Sequence, residues 1–301
     1  MSGLNPALAL IENSAERKTL IRLVQEAEER GFSGLFIPSI GDYLDFCREA
    51  LQATSRISIA TSIAPIYHQP AHELSHTAAE FHNLSSGRFR LGLGVSHAPM
   101  LKAAGIRAGR PLSDMRDYVA ALRDTAAKTG AQLPPIYLAT LRDKMLRLAH
   151  EIADGAIYGT GVLSNLPSQL VRCGIRANEA FFVGNMIPTV VDDDRAAARA
   201  VHVVASNDYL MLPNYRNYWR EAGYASKIDA VEDAIAAGRD SNLVDLMGDE
   251  WLADITIFGD GTLARQHVEA TIKAGIIPIV TPMSSTGDVA GAGACIIAAL
   301  T

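Results

Sequence analysis

Short apolar runs alternate with longer amphipathic ones along this chain. Leu8 to Ile11 is a weak first strand. Between Ala15 and Arg30, Leu20, Leu23, Val24 and Ala27 recur at helical spacing, and Gly31 follows as a C-terminal stop. Gly34-Leu35-Phe36-Ile37-Pro38 is a buried second strand, and Asp42 is placed to cap a helix running through Ala53. The third strand is Ile57 to Ile63. Pro70, in the first-turn position that suits its missing N–H, opens a helix to about Leu84. Phe89 to Leu93 is the fourth strand, Ser113 caps a helix to about Lys128, and Ile136 to Ala139 is the fifth strand behind Pro134-Pro135. A helix from Asp143 to Ile152 turns Met145, Leu146 and Ala149 inward before a sixth strand, Gly155 to Tyr158. Leu163 to Arg176 is helical and Ala180 to Val183 is the seventh strand. Ile276 to Val280 is the eighth, ahead of a final helix from about Asp288 that is rich in alanine and glycine.

Eight strand-then-helix alternations without a run of hairpin turns predict a parallel sheet. Eight units in a chain of 301 residues fit an α/β fold of the closed (β/α)8 type, a TIM barrel spanning 1–301 as one domain. An open doubly wound sheet is the alternative. One region breaks the rhythm: from about Asp192 to the eighth strand the pattern is mostly helical. It includes Asp208 to Ala222, with Tyr209, Tyr215, Tyr218 and Trp219, and then Ile228 to Ala237. This is a helical insertion before the last strand, lying near the barrel mouth or at a subunit contact. Ordinary helix packing explains its aromatics, with a substrate-facing wall as the other reading.

Composition narrows the partners. With 49% hydrophobic and 20% charged residues the chain can bury a large core. A net charge of −6 and no basic cluster give no footprint for nucleic acid. The first residues lack a charged segment followed by an apolar one, and no apolar run is long enough to span a membrane. Cys47, Cys173 and Cys295 are scattered and form no metal-type pair, as expected of a cytoplasmic protein whose thiols are buried small hydrophobes.

Chemistry concentrates in Leu84 to His97. A helix end and a tight turn lead into a short strand in which Gly92 and Gly94 alternate, followed by Ser96 and His97 at the strand's carboxyl end. α/β proteins bind ligands at that end. Glycines on one face leave room for a flat ligand to approach the backbone, or else relieve crowding in a narrow barrel.

Leu84-Ser85-Ser86-Gly87-Arg88-Phe89 followed by Leu91-Gly92-Leu93-Gly94 resembles the third-helix to fourth-strand signature of the luciferase-like flavin- and deazaflavin-dependent oxidoreductases. Pro135-Ile136-Tyr137-Leu138-Ala139 and Leu148-Ala149-His150-Glu151-Ile152-Ala153-Asp154-Gly155 are similar to that family's fifth and sixth units, in matching order and spacing. The Gly-Val-Ser-His run and the compact length point to the subgroup that uses coenzyme F420, with FMN as the alternative cofactor.

The resemblance implies a homodimeric TIM-barrel oxidoreductase that moves a hydride between F420 and a small organic substrate; an FMN-dependent monooxygenase is the runner-up. It sets the cofactor ring across the ends of the third to fifth strands. A bulge at Thr61, Ser62, Ile63 and Ala64, in this family often a non-prolyl cis peptide, would support the back of the ring. Gly94, Val95 and Ser96 would contact the ring and the cofactor's side chain, and Thr140 belongs with these contacts. The cofactor phosphate would lie at Gly159-Thr160-Gly161, where a glycine-rich turn ahead of a helix offers unpaired N–H groups to an anion.

His97 matches a position where some members carry a carboxylic acid, and an imidazole titrating near pH 6.5 can give or take the proton that accompanies the hydride. His68, in the loop after the third strand, is a second candidate on the substrate side. Many members place an acidic residue and a histidine at the end of the second strand. This chain has Pro38-Ser39-Ile40-Gly41-Asp42 there, so Ser39 can hydrogen-bond to substrate but cannot act as the acid. His72 and His76 lie four apart on one helix face but lack a third ligand, so no metal site is expected. A non-catalytic barrel that binds a flavin-like ligand is the reading from outside enzymology.

Overall fold

A computed structural model describes residues 5–176, 180–239 and 243–301. Eight parallel strands close a ring: β1 (Ala7–Ala9), β2 (Gly34–Ile37), β3 (Ser58–Thr61), β4 (Phe89–Gly94), β5 (Ile136–Thr140), β6 (Gly155–Gly159), β7 (Phe182–Val191) and β8 (Ile277–Pro282). Closure comes from β8 pairing with β1 on one edge and with β7, from Gly184↔Ile277 to Thr189↔Pro282, on the other. The fold is therefore a TIM barrel. Two short strands sit off the ring. Ala64–Pro65 pairs with the end of β4, and Ile257–Gly259 continues along the β7 edge that β6 has left.

The sequence periodicity matches the outer layer closely. The helix Arg17–Glu29 buries Leu20, Leu23, Val24 and Ala27 against the ring. Inside the ring, Ala7, Ala9, Phe36, Ala60, Tyr137, Ile157, Ile277 and Ile279 form a separate cluster, as the two-residue period of a strand requires. Tyr137 stacks on Phe182 at 4.3 Å between ring centres, and Phe182 on Phe36 at 5.9 Å. These rings fill the amino-terminal half. Toward the carboxyl rim the interior positions on β1, β4, β5 and β6 shrink to Ala9, Gly94, Ala139 and Gly159.

Several expected boundaries move. The third strand stops at Thr61 rather than reaching Ile63. The seventh begins at Phe182, not Ala180, and runs for 10 residues to Val191, because Gly184 and Asn185 find neighbours on both edges and Pro188 pairs with Thr281 of β8, instead of ending the strand. The helix expected from Leu163 to Arg176 covers only Leu166–Arg172. Neither expected cap acts as one. Asp42 makes no capping bond from its side chain, and the helix ahead of β5 starts at Pro111, so Ser113 lies inside it. The insertion is a helix Arg195–Leu210, a short helix Pro213–Trp219, a π-helical turn Arg220–Tyr224, and helices Ala225–Ala236 and Gly248–Ile255. Pro213 starts a new helix at 213, so the expected single helix from Asp208 is divided. Among the described residues no helix is long and apolar enough to cross a membrane.

His202 joins the insertion to the barrel. It is fully buried on the helix Arg195–Leu210, and its Nε2–H donates to the Ile257 carbonyl at 2.9 Å. Burial depresses the imidazole to about 4, so the folded protein keeps it neutral where the unfolded chain would protonate it. The associated stability is complete above pH 6.5 and is lost as pH falls toward 4. Between pH 7 and pH 5 we expect a loss of about 2 kcal/mol from this residue. Urea unfolding at the two pH values checks it: His202→Gln should show a correspondingly smaller decline, and an equal decline would refute the assignment.

Candidate active site

The site is built where β3 and β4 part. Ala60 pairs with Arg90 and Ala64 with Leu93, so the chain spends one more residue on the β3 side than on β4, a bulge. The Ser62–Ile63 peptide bond inside it is cis. Thr61 mends the interrupted ladder: its hydroxyl donates to the Gly92 carbonyl at 2.8 Å and accepts from the Gly92 N–H at 2.9 Å. A side chain on Gly92 would overlap the Thr61 carbonyl oxygen. One on Gly94 would overlap the Ile63 side chain, which lies over it. The two glycines therefore do not leave bare backbone for a ligand. They make room for the bulge, and the surface presented upward at this point is Ile63.

Beyond β4, Val95 and Ser96 are half-buried, and Ser96 has a left-handed φ of +60°. Only two other non-glycine residues among those described have positive φ, and one is Thr160, at +55° just past β6. Strained backbone of this kind concentrates at functional sites. His97, half-buried, opens the short helix Ala98–Ala103, and its ring centre stands 5.6 Å from that of Tyr215. Burial alone pushes the imidazole below its ordinary value; no charged neighbour contributes. His97 is thus neutral near pH 7, with one nitrogen carrying a proton and the other able to accept one.

The turn after β6 corrects an expectation. Its N–H groups are not unpaired. Thr160 N–H donates to Met186 O (2.9 Å), Gly161 N–H to Asn185 Oδ1 (2.8 Å), Val162 N–H to Tyr218 Oη (2.8 Å), Leu163 N–H to Asp254 O (3.0 Å) and Ser164 N–H to Asp254 Oδ1 (2.8 Å). The helix that follows starts only at Leu166 and is 7 residues long. An anion at Gly159, Thr160 and Gly161 would have to be met by side chains. Asn185 also donates to the Gly161 carbonyl, at 3.1 Å, and so grips the turn from both sides.

Other expected residues are placed as follows. Thr140 is buried and, opposite in phase to interior Ala139, faces the helix layer beside Tyr158; Ala64 also packs into the outer core. Their side chains are turned away from the barrel interior. Ser62 is buried, and its hydroxyl has no partner within the protein. Ser39 is half-buried, on a loop tied down by Glu12, which the sequence reading passed over. Glu12 is buried and accepts from Arg17 Nη2 (2.6 Å), Ser14 Oγ (2.9 Å) and the Asp42 N–H (3.1 Å). Hydrogen bonding from Arg17 holds its carboxyl below the usual range, so it is an anchor rather than a proton donor. His68 is exposed, its N–H on the Pro65 carbonyl at 3.2 Å, while neighbouring Tyr67 donates to Asp114 Oδ2 at 2.8 Å.

The insertion aromatics are mainly a packed cluster. Tyr209, Tyr215, Trp219, Trp251 and Tyr224 succeed one another with ring centres 4.7 to 5.4 Å apart. Tyr215 also reaches the rim, where a Cβ on Gly159 would come within 3.1 Å of its hydroxyl oxygen. On the barrel's inner face the rim is then Ala9, Ile63, Gly94, Ala139, Gly159, Met186 and Thr281, without an ionisable side chain. Ile63 laid over Gly94, small Ala139 on the next strand and the partnerless buried hydroxyl of Thr281 suit a flat ring with polar edge atoms.

Comparison with known proteins gives the family and the same fold. The family model described as luciferase-like monooxygenase matches residues 6–276. A protein of Mycobacterium tuberculosis, provisionally named a coenzyme F420-dependent oxidoreductase, is 25% identical over 320 residues, covering 89% of this chain and 91% of its own. The structure of coenzyme F420-dependent tetrahydromethanopterin reductase from Methanopyrus kandleri superposes with a TM-score of 0.73 at 16% identity, over 100% of both chains. Monooxygenase RslO1 from Streptomyces bottropensis superposes with a TM-score of 0.64 at 16% identity, over 99% of this chain and 98% of its own.

Proposed function

Since the chain belongs to the luciferase-like monooxygenase family and is an enzyme, we propose that it is an F420-dependent oxidoreductase transferring a hydride between the deazaflavin and a small organic substrate. The observation that carries this reading is the bulge between β3 and β4, which lays Ile63 across Gly94 as a floor at the carboxyl rim. When bound there, the deazaflavin supplies a two-electron carrier. Ile63 would support the back of the ring, and the Thr281 hydroxyl, without a partner in the protein, would hydrogen-bond its edge. Ala139, on the next strand, adds little bulk beside that floor. His97, on the loop leaving β4, would hold or release the matching proton at a ring nitrogen.

Anaerobic titration of the purified protein with oxidised and with reduced F420, followed by cofactor fluorescence, tests the reading. Saturable quenching is expected with both forms. Saturation by FMN alone would instead favour a flavin-dependent monooxygenase; one structural relative is named a monooxygenase. Binding of neither would overturn both.

A further inference from the structure

Among the insertion's aromatics, Tyr215 differs from the rest in touching two strand ends of the barrel. Its ring faces His97 past the end of β4, at 5.6 Å and an interplanar angle of 53°. Its hydroxyl lies over Gly159, the last residue of β6, against Thr160. Because β5 lies between β4 and β6 in the sheet, the side chain bridges the rim across the β5 end. Tyr215 is itself 4% exposed and braced by Tyr209 at 4.7 Å and Trp219 at 5.4 Å. The insertion that carries it is held down on both sides. Glu221 of the π-helical turn pairs with Arg142 just past β5, and Tyr218 and Asp254 take the N–H groups of the β6 turn.

We propose that Tyr215 is a positioning residue of the active site, its ring forming the wall that orients His97 and screens it from water. The helical insertion thereby completes the site instead of merely decorating the barrel. This rests on His97 as the proton-handling group of the reading above. The surroundings of His97 are consistent with it: the phenol of Tyr215 faces it from the insertion, with Tyr209 packed on Tyr215. Lys102, at the far end of the short helix Ala98–Ala103, is the charged side chain of its own element. Burial accounts for the lowered imidazole, and burial also keeps the Tyr215 phenol protonated.

The test needs no cofactor or substrate, so it stands even if F420 does not bind. Isotope-labelled histidine, with the His97 signal assigned through His97→Gln, is titrated by NMR in the apoprotein. In wild type the His97 midpoint should lie below about 6.5. Tyr215→Phe, which keeps the ring, should leave it there, whereas Tyr215→Leu should let it return toward the ordinary value. A folded Tyr215→Leu protein with an unchanged His97 midpoint overturns the proposal. Should that variant not fold, wild type decides alone: a nuclear Overhauser contact between the Tyr215 and His97 rings is required, and its absence is equally fatal.

Discussion

Protein carrying glutamine in place of His97 should bind F420 as wild type does yet turn over about 10²- to 10⁴-fold more slowly, the usual worth of a positioned acid or base. Glutamine retains a hydrogen-bonding end but cannot exchange a proton near neutrality. On the proposed function, the assay follows oxidation of reduced F420 by a panel of small organic substrates. A second signature separates proton transfer from simple substrate anchoring. Because burial lowers the imidazole, the wild-type pH–rate profile should bend below the ordinary histidine value, and that bend should vanish in the variant. Glutamine within a few-fold of wild type, with the bend intact, would remove His97 from the reaction.

Alanine at position 92 should destabilise the protein by about 3 kcal/mol, at the upper end of the cost of overpacking a core. The added methyl would overlap the Thr61 carbonyl oxygen, a backbone atom held by the β3–β4 contact, so relief requires moving the bulge itself. Alanine at position 94 meets the Ile63 side chain, at Cγ1 and Cδ1, rather than backbone, and should cost about 1 kcal/mol while displacing the floor of the site. The pair thus separates two effects. Gly92→Ala is read by urea unfolding, Gly94→Ala by weakened F420 binding at nearly native stability. If Gly92→Ala proves as stable as wild type, the packing described at the bulge is incorrect.

The eight-unit barrel was legible because each strand is a short apolar run and each helix carries a stripe such as Leu20, Leu23, Val24 and Ala27, a signal that depends on near neighbours in sequence. The neighbourhood of the bulge and of His97 was legible as well, through the resemblance carried by Leu84 to Gly94. What local pattern could not show was which atoms cross a given residue from elsewhere. Gly92 and Gly94 look the same whether a ligand or the Thr61 carbonyl and Ile63 lie over them. The length of β7 was hidden because Gly184, Asn185 and Pro188 resemble terminators, although Asn185 is there to grip Gly161. Tyr215 stood out from its aromatic neighbours only once the insertion was folded onto the rim.

The residues after β6 took their donors' partners from far along the chain: Val162 from a tyrosine 56 positions away, Ser164 from an aspartate 90 positions away. Each such N–H, if stranded, costs about 1–3 kcal/mol. The loop and the inserted helices therefore form one exchangeable cassette. Grafting a relative's insertion to change what the enzyme accepts would have to carry residues 160–164 with it, or preserve Tyr218 and Asp254 in place.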